Sequence, residues 1–265
     1  MRPAASWGCW GWGRGVAEPI LSIRGLVKRF GGLTATDDVS LDVLPGELHA
    51  LIGPNGAGKT TLIGQLIGEI TPDAGQVLFC GDDITRLSVA ARVKRGLARS
   101  FQIVQLLDDD TALANVALAV QARAGHSFRF WRAAEADPAL AEPARALLNQ
   151  VGLARHNTRV ADLSHGERKV LELAVALAAR PKLLLLDEPM AGLGAAESLA
   201  MTETLRALKG SLAILLVEHD MEAVFALADR ITVLVYGRAI ATGTAEAIRA
   251  NPAVQEAYLA EEVPE

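Results

Sequence analysis

The chain has 265 residues, a formal net charge of −5 and 51% hydrophobic residues, with a mean hydropathy of +0.25. That length suits one large domain or two small ones and can bury a core without disulfides or structural metals. A spanning helix needs roughly 20 consecutive apolar residues. The longest apolar runs, at 183–186, 212–217 and 112–120 (the last interrupted by Asn115), all fall short, so membrane spans are excluded. The acidic balance argues against a nucleic-acid partner, because duplex binding needs a basic face. Cys9 and Cys80 have no paired spacing, which argues against a disulfide framework or thiolate metal site and fits a reducing cytoplasm.

Residues 1–18 place Trp7, Trp10 and Trp12 among Gly8, Gly11, Gly13 and Gly15, with neither alternation nor helical period. They read as a disordered tail, or as a start codon assigned ahead of the folded chain. The basic start and apolar stretch of a signal peptide are missing, and a membrane-touching tryptophan tail is the sharper alternative. Folded sequence is expected from Pro19. Alternation predicts strands at 21–27 and 39–43, followed by a Pro45-Gly46 turn and a short apolar strand at 48–52. A glycine-rich loop and a helical pattern from Lys59 come next, then a strand at 75–79. Residues 88–179 read as mostly helical, with breaks at Gly125-His126, Pro138 and Gly152. Strand-like runs follow at 183–186, 213–217 and 231–235, separated by helices rich in Ala and Leu. Short strands alternating with helices predict a parallel α/β sheet covered on both faces, with the helical middle inserted into it.

Gly53-Pro54-Asn55-Gly56-Ala57-Gly58-Lys59-Thr60 fits the phosphate-loop pattern G-x-x-x-x-G-K-[ST]. Glycines let consecutive backbone N–H groups curl around a β-phosphate, and the following helix adds its positive N-terminal end. Lys59 can reach the β- and γ-phosphates, the Thr60 hydroxyl can bind Mg²⁺, and Thr61 is placed to donate toward the α-phosphate. The bland alternative, a glycine turn that matches by accident, does not account for the strand before it and the helix after it.

Leu183-Leu184-Leu185-Leu186-Asp187-Glu188-Pro189 is an apolar strand ending in two acids. Ligands sit at the carboxyl edge of such strands. Asp187 would hold Mg²⁺ through its water shell, and Glu188 would face the attacking water as general base or polarising group. Simple capping of the next helix is the structural alternative.

A phosphate loop and an acidic strand allow kinases, helicases or GTPases. Leu163-Ser164-His165-Gly166-Glu167, ahead of an amphipathic helix, separates these. Read alone, Ser164-x-x-Glu167 is a capping box. The string also resembles the ABC-family signature Leu-Ser-Gly-Gly-Gln, with His165 for Gly and Glu167 for Gln, and both readings can hold together. The resemblance covers residues from about 20 to 262. It implies an α/β P-loop NTPase fold of the ABC type: a parallel-sheet core, an antiparallel β subdomain and an inserted α-helical subdomain at about 104–180, within a nucleotide-binding domain over 19–265. It further implies that Ser164, Gly166 and Glu167 reach ATP bound by an opposite subunit. By the same resemblance, Phe30 stacks on adenine, Gln102 bridges the Mg²⁺ and water site to the transporter contact, and His219 touches the γ-phosphate. A core aromatic is the alternative for Phe30. Among five histidines, only the Glu218-His219-Asp220 context singles out His219. One departure stands out: Ala191-Gly192-Leu193-Gly194 ends in Gly where the family's D-loop has Asp, which implies looser or asymmetric coupling between two sites.

One cassette without a membrane span resembles a separate ATP-binding subunit that works with membrane permease subunits and a second ATPase subunit, a paralogue or a second copy. Lys28-Arg29-Phe30-Gly31-Gly32-Leu33, Val217-Glu218-His219-Asp220-Met221 and the tail from Asn251-Pro252 to Tyr258-Leu259 resemble branched-chain amino acid importer ATPases. So does the lengthened segment at 125–142, with Phe128, Phe130 and Trp131. The implied setting is ATP hydrolysis with Mg²⁺ at the inner face of the cell membrane, acting indirectly with a substrate-binding protein. Urea or amide importers and lipopolysaccharide exporters share much of the pattern. A soluble ABC ATPase acting on ribosomes or DNA, and a small-molecule P-loop kinase, are the readings from other classes.

Overall fold

Runs that are apolar at nearly every position are stable only inside a sheet covered on both faces. Leu48–Ile52 (β3), Leu183–Asp187 (β7) and Ala213–Val217 (β8) are buried at every residue. The computed structural model describes residues 18–100, 106–124 and 134–259, and it places these three strands side by side. Leu97–Ser100 (β6) flanks β7, and Arg230–Val235 (β9) flanks β3 on the other side. Arg238–Gly243 (β10) closes that edge as the sheet's one antiparallel strand, giving the order β10-β9-β3-β8-β7-β6. A second, antiparallel sheet is formed by Leu33–Val43 (β2), Leu21–Phe30 (β1), Ala74–Phe79 (β4) and Asp82–Asp83 (β5), in that order.

Helix Lys59–Ile67 (α1) lies between the two sheets. Leu62, Ile63 and Leu66 share one core with Leu21, Ile23 and Val39 of the small sheet and Leu51, Leu185 and Leu215 of the large one. Being enclosed on both sides explains why α1 is buried at every residue but Thr60 and Thr61. Its C-terminal end is held by Arg92, a fully buried side chain of Val89–Arg95 (α2). That guanidinium donates to the carbonyls of Gln65 (2.7 Å), Leu66 (2.5 Å), Leu87 (3.0 Å) and Thr85 (2.8 Å), satisfying acceptors that a helix end leaves open.

The opposite face of the large sheet packs Leu184, Leu186, Ile214 and Leu216 against Ala112–Ala124 (α3), Pro138–Gln150 (α4), His165–Ala178 (α5) and Ala195–Leu208 (α6). The two-residue alternation of β7 therefore feeds two different cores. The strands expected from sequence are present, with β1 and β2 longer at their shared hairpin. Pro138 breaks the helical stretch as the first residue of α4, behind an Asp137 side chain that accepts from Ala139 N–H at 3.0 Å.

Residues 97–100 were expected to be helical and are a strand. Ala98 and Arg99 favour helix locally, but parallel pairing of Leu97–Ser100 with residues 183–186 overrides that preference. Gly96, at φ 102°, ends α2 and starts the strand. Residues 1–17 of the tail and residues 125–133 of the lengthened segment at 125–142, including Phe128, Phe130 and Trp131, lie outside the described residues. Among the described residues, no helix is long and apolar enough to cross a membrane.

Candidate active site

The carboxyl ends of the parallel strands gather the residues singled out by sequence. β3 runs into the loop 53–58, whose conformation depends on two glycines. A Cβ at Gly53 (φ 153°) would lie 2.0 Å from the Leu234 carbonyl oxygen, and one at Gly58 (φ 99°) would lie 2.1 Å from that of Ala35. The loop is thus wedged between β9 and β2. It is braced by the turn after β9, where Gly237 N–H donates to the Ala57 carbonyl at 3.0 Å and Asp37 N–H donates to the Gly237 carbonyl at 2.8 Å. Ala57 N–H donates to the Pro54 carbonyl at 3.2 Å. The Lys59 ammonium is folded back into the loop's arc, donating to the carbonyls of Gly53 (2.6 Å) and Pro54 (2.9 Å). The N-cap of α1 is Gly58, which has no side chain to cap the helix. Thr60 is exposed beside Lys59, Thr61 is half-buried, and Asn55 and Gly56 are exposed at the crest.

Asp187 ends β7 and is only 6% exposed. Its Oδ2 accepts from Arg99 Nη2 at 2.8 Å, and Arg99 Nη1 reaches Glu69 Oε2 at 3.3 Å. Arg99 was not singled out from the sequence. The available signal is an arginine within a short buried strand, which demands a partner, but the local sequence there reads as helix. Could these oxygens serve a divalent cation? Among the described residues, no group of three or more His, Cys, Asp or Glu side chains could hold a metal, so a closed protein cage is excluded there. One buried carboxylate and one exposed hydroxyl instead suit a small hard cation that keeps its waters and shares the nucleotide's phosphates, which is the habit of Mg²⁺.

Glu188 follows with its backbone in the left-handed region at φ 50°, a strained conformation for a side-chain-bearing residue. Its N–H donates to the Val217 carbonyl at 2.8 Å, which extends the β7–β8 ladder by one bond. Its Oε1 lies 2.9 Å from Nε2 of His219, at the end of β8. With Glu188 ionised, that contact puts the imidazole proton on Nε2. Both side chains remain reachable from solvent, at 33% and 45% exposure.

Phe30 closes the β1–β2 hairpin and is 49% exposed, so it is not a core aromatic. The Lys28 ammonium sits 5.5 Å from its ring centroid. Ser164 caps α5: its Oγ accepts from Glu167 N–H at 3.1 Å, and Glu167 Oε2 accepts from Ser164 N–H at 2.9 Å. The capping box is therefore formed, and Arg155 adds an ion pair to Glu167 at 3.0 Å. Gly166 is buried against Glu197, whose Oε1 lies 2.3 Å from where a Cβ would stand. The same carboxylate accepts from Gly194 N–H at 3.2 Å, through its other oxygen. Glu197 thus touches both the 163–167 string and the 191–194 loop of one chain. Gln102 lies outside the described residues.

Comparison with known proteins gives a family model described as "ABC transporter" matching residues 36–191. A second, described as "Branched-chain amino acid ATP-binding cassette transporter", matches residues 240–259. The high-affinity branched-chain amino acid transport ATP-binding protein LivG of Escherichia coli K12 is 37% identical over 254 residues, covering 93% of this chain and 100% of LivG. BraF of Pseudomonas aeruginosa, with the same descriptive name, is 37% identical over 258 residues, with the same coverage. Among solved structures, a nucleotide-free ATP-binding cassette from an ABC transporter superposes with a TM-score of 0.81 at 29% identity, covering 94% of this chain and 100% of that one. An ADP-bound cassette of an ABC transporter gives the same TM-score and identity, with coverage of 92% and 99%.

Proposed function

Because the chain belongs to the ABC transporter family of ATP-binding proteins, we propose that it powers a membrane importer of branched-chain amino acids. It is an ATPase, and its fold is that of the family's ATP-binding cassettes. The cargo is the finer step. It is supported by the match at 240–259, which covers β10 and the helices Ala245–Arg249 (α8) and Pro252–Leu259 (α9), and by the names carried by LivG and BraF. In this reading 19–265 is one nucleotide-binding domain, with a helical subdomain at about 104–180. The chain docks on permease subunits at the inner membrane face and pairs with a second ATPase subunit.

The observation that carries the catalytic reading is the Glu188–His219 contact beside the phosphate loop, on neighbouring strand ends. Backbone N–H groups of the loop and the start of α1 bind the phosphates. Lys59 turns from the loop carbonyls to the β- and γ-phosphates. Phe30 offers a ring face to the adenine. Thr60 and Asp187, with Gln102, would hold Mg²⁺, and the ion would supply positive charge to offset the charge that develops on the phosphates. Glu188 accepts a proton from the attacking water, and His219 orients Glu188 and faces the γ-phosphate. Ser164, Gly166 and Glu167 complete the other subunit's site. ATP then favours the closed pair through its better fit there, and hydrolysis releases it.

The test is transport. The chain is co-expressed with its permeases and second ATPase, reconstituted in vesicles, and given labelled leucine or urea with ATP. ATP-dependent leucine uptake abolished by Glu188→Gln is expected. Uptake of urea but not leucine would overturn the cargo, and a hydrolysis rate that the permeases leave unchanged, with no uptake of either solute, would overturn the transport role.

A further inference from the structure

Glu218 is 4% exposed, and among the described residues it makes no ion pair. It stands between the end of β8 and Asp220, whose side chain already caps Met221–Leu227 (α7) by accepting from the N–H groups of Glu222 and Ala223. Helix capping therefore does not explain the acid at 218. Burying a carboxylate is costly unless its oxygens are hydrogen-bonded, and here each oxygen has one backbone donor. Oε1 accepts from Met190 N–H at 2.7 Å, and Oε2 accepts from His219 N–H at 3.0 Å. One side chain thus ties the loop after β7 to the loop after β8.

Those are the loops that carry Glu188 and His219. Glu188 needs outside support, because its φ of 50° is strained. Its N–H is anchored on Val217, and its carbonyl accepts from Ala191 N–H at 3.1 Å, closing a turn that contains Met190. Fixing Met190 fixes that turn, and fixing the backbone of His219 sets where its imidazole starts. We infer that Glu218 is a positioning residue that clasps the two loops and holds Glu188 and His219 at their 2.9 Å separation. The inference rests on the catalytic reading of that pair given above. It does not depend on what is transported.

The experiment uses the full chain and the isosteric substitution Glu218→Gln. An amide offers one acceptor and one donor group in place of two acceptors, so one of the two backbone N–H groups loses its partner. Misplacement of reacting groups by about 1 Å costs on the order of 100-fold in rate. Glu218→Gln is therefore expected to lower kcat by about that factor while leaving the Kd for ATP within about twofold. In a His219→Ala background, the same substitution should cost far less, because residues acting as a unit are not additive. An unchanged kcat, a Kd that worsens in step with kcat, or an equal loss in both backgrounds would overturn the clasp. A second measurement needs no variant: the Met190 amide of the unsubstituted chain should exchange with deuterium slowly, and fast exchange would also overturn it. If the unsubstituted chain hydrolyses no ATP, the reading of Glu188 fails, while the clasp is still decided by amide exchange.

Discussion

Phe30→Ala separates recognition of the base from recognition of the phosphates. Phe30 is 49% exposed, and a phenylalanine buries roughly 150–250 Å² when fully enclosed, so about 100 Å² of it faces solvent. A base stacked on one ring face covers about half of that. At about 25 cal/mol per Å² this gives ~1.2 kcal/mol from area alone, and measured base–aromatic stacking runs at about 1–3 kcal/mol. Removing the ring should therefore weaken ATP binding by about tenfold. Because every base has a π-face, GTP should lose a similar factor. Inorganic tripolyphosphate, which has no base, should bind the substituted and unsubstituted chains equally. Fluorescence titration with a labelled nucleotide, competed by each ligand, reads all three. ATP affinity within twofold of the unsubstituted chain would remove Phe30 from the site. An equal loss for tripolyphosphate would show that the substitution had damaged the phosphate loop instead.

The other predictions address the loop, the catalytic acid and stability. Gly58→Ala should abolish ATP binding, since the new Cβ meets the Ala35 carbonyl at 2.1 Å; Gly56→Ala, with nothing within 4 Å, should show only the left-handed penalty of about 1–2 kcal/mol in a thermal melt. Equal behaviour of the two would refute the wedge. Glu188→Gln should retain ATP affinity, lose hydrolysis and accumulate an ATP-bound dimer on size exclusion; wild-type turnover would remove Glu188 from its role. For Glu47, burial pushes the carboxyl up, but hydrogen bonds from His49, Arg230 and the Leu44 amide outweigh it and hold the pKa at about 2 rather than 4.5. The folded pKa is depressed, so this stabilisation is complete above about pH 5 and is lost as pH falls toward 2. It amounts to about 3 kcal/mol, and Glu47→Gln should lose that much in urea unfolding near neutral pH. A gap between the two chains that failed to shrink in acid would contradict the assignment.

Which residues could be found from sequence follows from how far their partners lie along the chain. The phosphate loop, the acids after β7 and the Ser164–Glu167 box are local strings whose neighbours supply their geometry, and the box closes within three residues. Arg99 and Glu218 work only through distant partners, with Arg99 and Asp187 separated by 88 positions in the chain and Met190 and Glu218 by 28. Nothing adjacent to either residue signals the contact. Strand β6 was missed for a related reason: its four residues carry no usable period, and their extended form comes from pairing with β7. Phe30 was legible as an aromatic in a family position, whereas its exposure depends on where the β1–β2 hairpin ends.

The sheet order explains why these distant partners fall together. In a parallel sheet every carboxyl end lies on the same edge, with neighbouring strands about 4.8 Å apart. The order β3-β8-β7-β6 therefore lays out, side by side, the phosphate loop, His219, the acids Asp187 and Glu188, and Arg99. Each neighbouring pair from β8 to β6 is also bridged beyond its ladder: His219 to Glu188, Glu218 to Met190, and Arg99 to Asp187. A shift of the strand end at Ser100 would then act on Asp187 through one guanidinium, and a shift of the 188–190 turn would act on His219 through one carboxylate. Such links connect discrete packed elements rather than a deformable medium. In this arrangement, two side chains, Arg99 and Glu218, link the ends of three neighbouring strands.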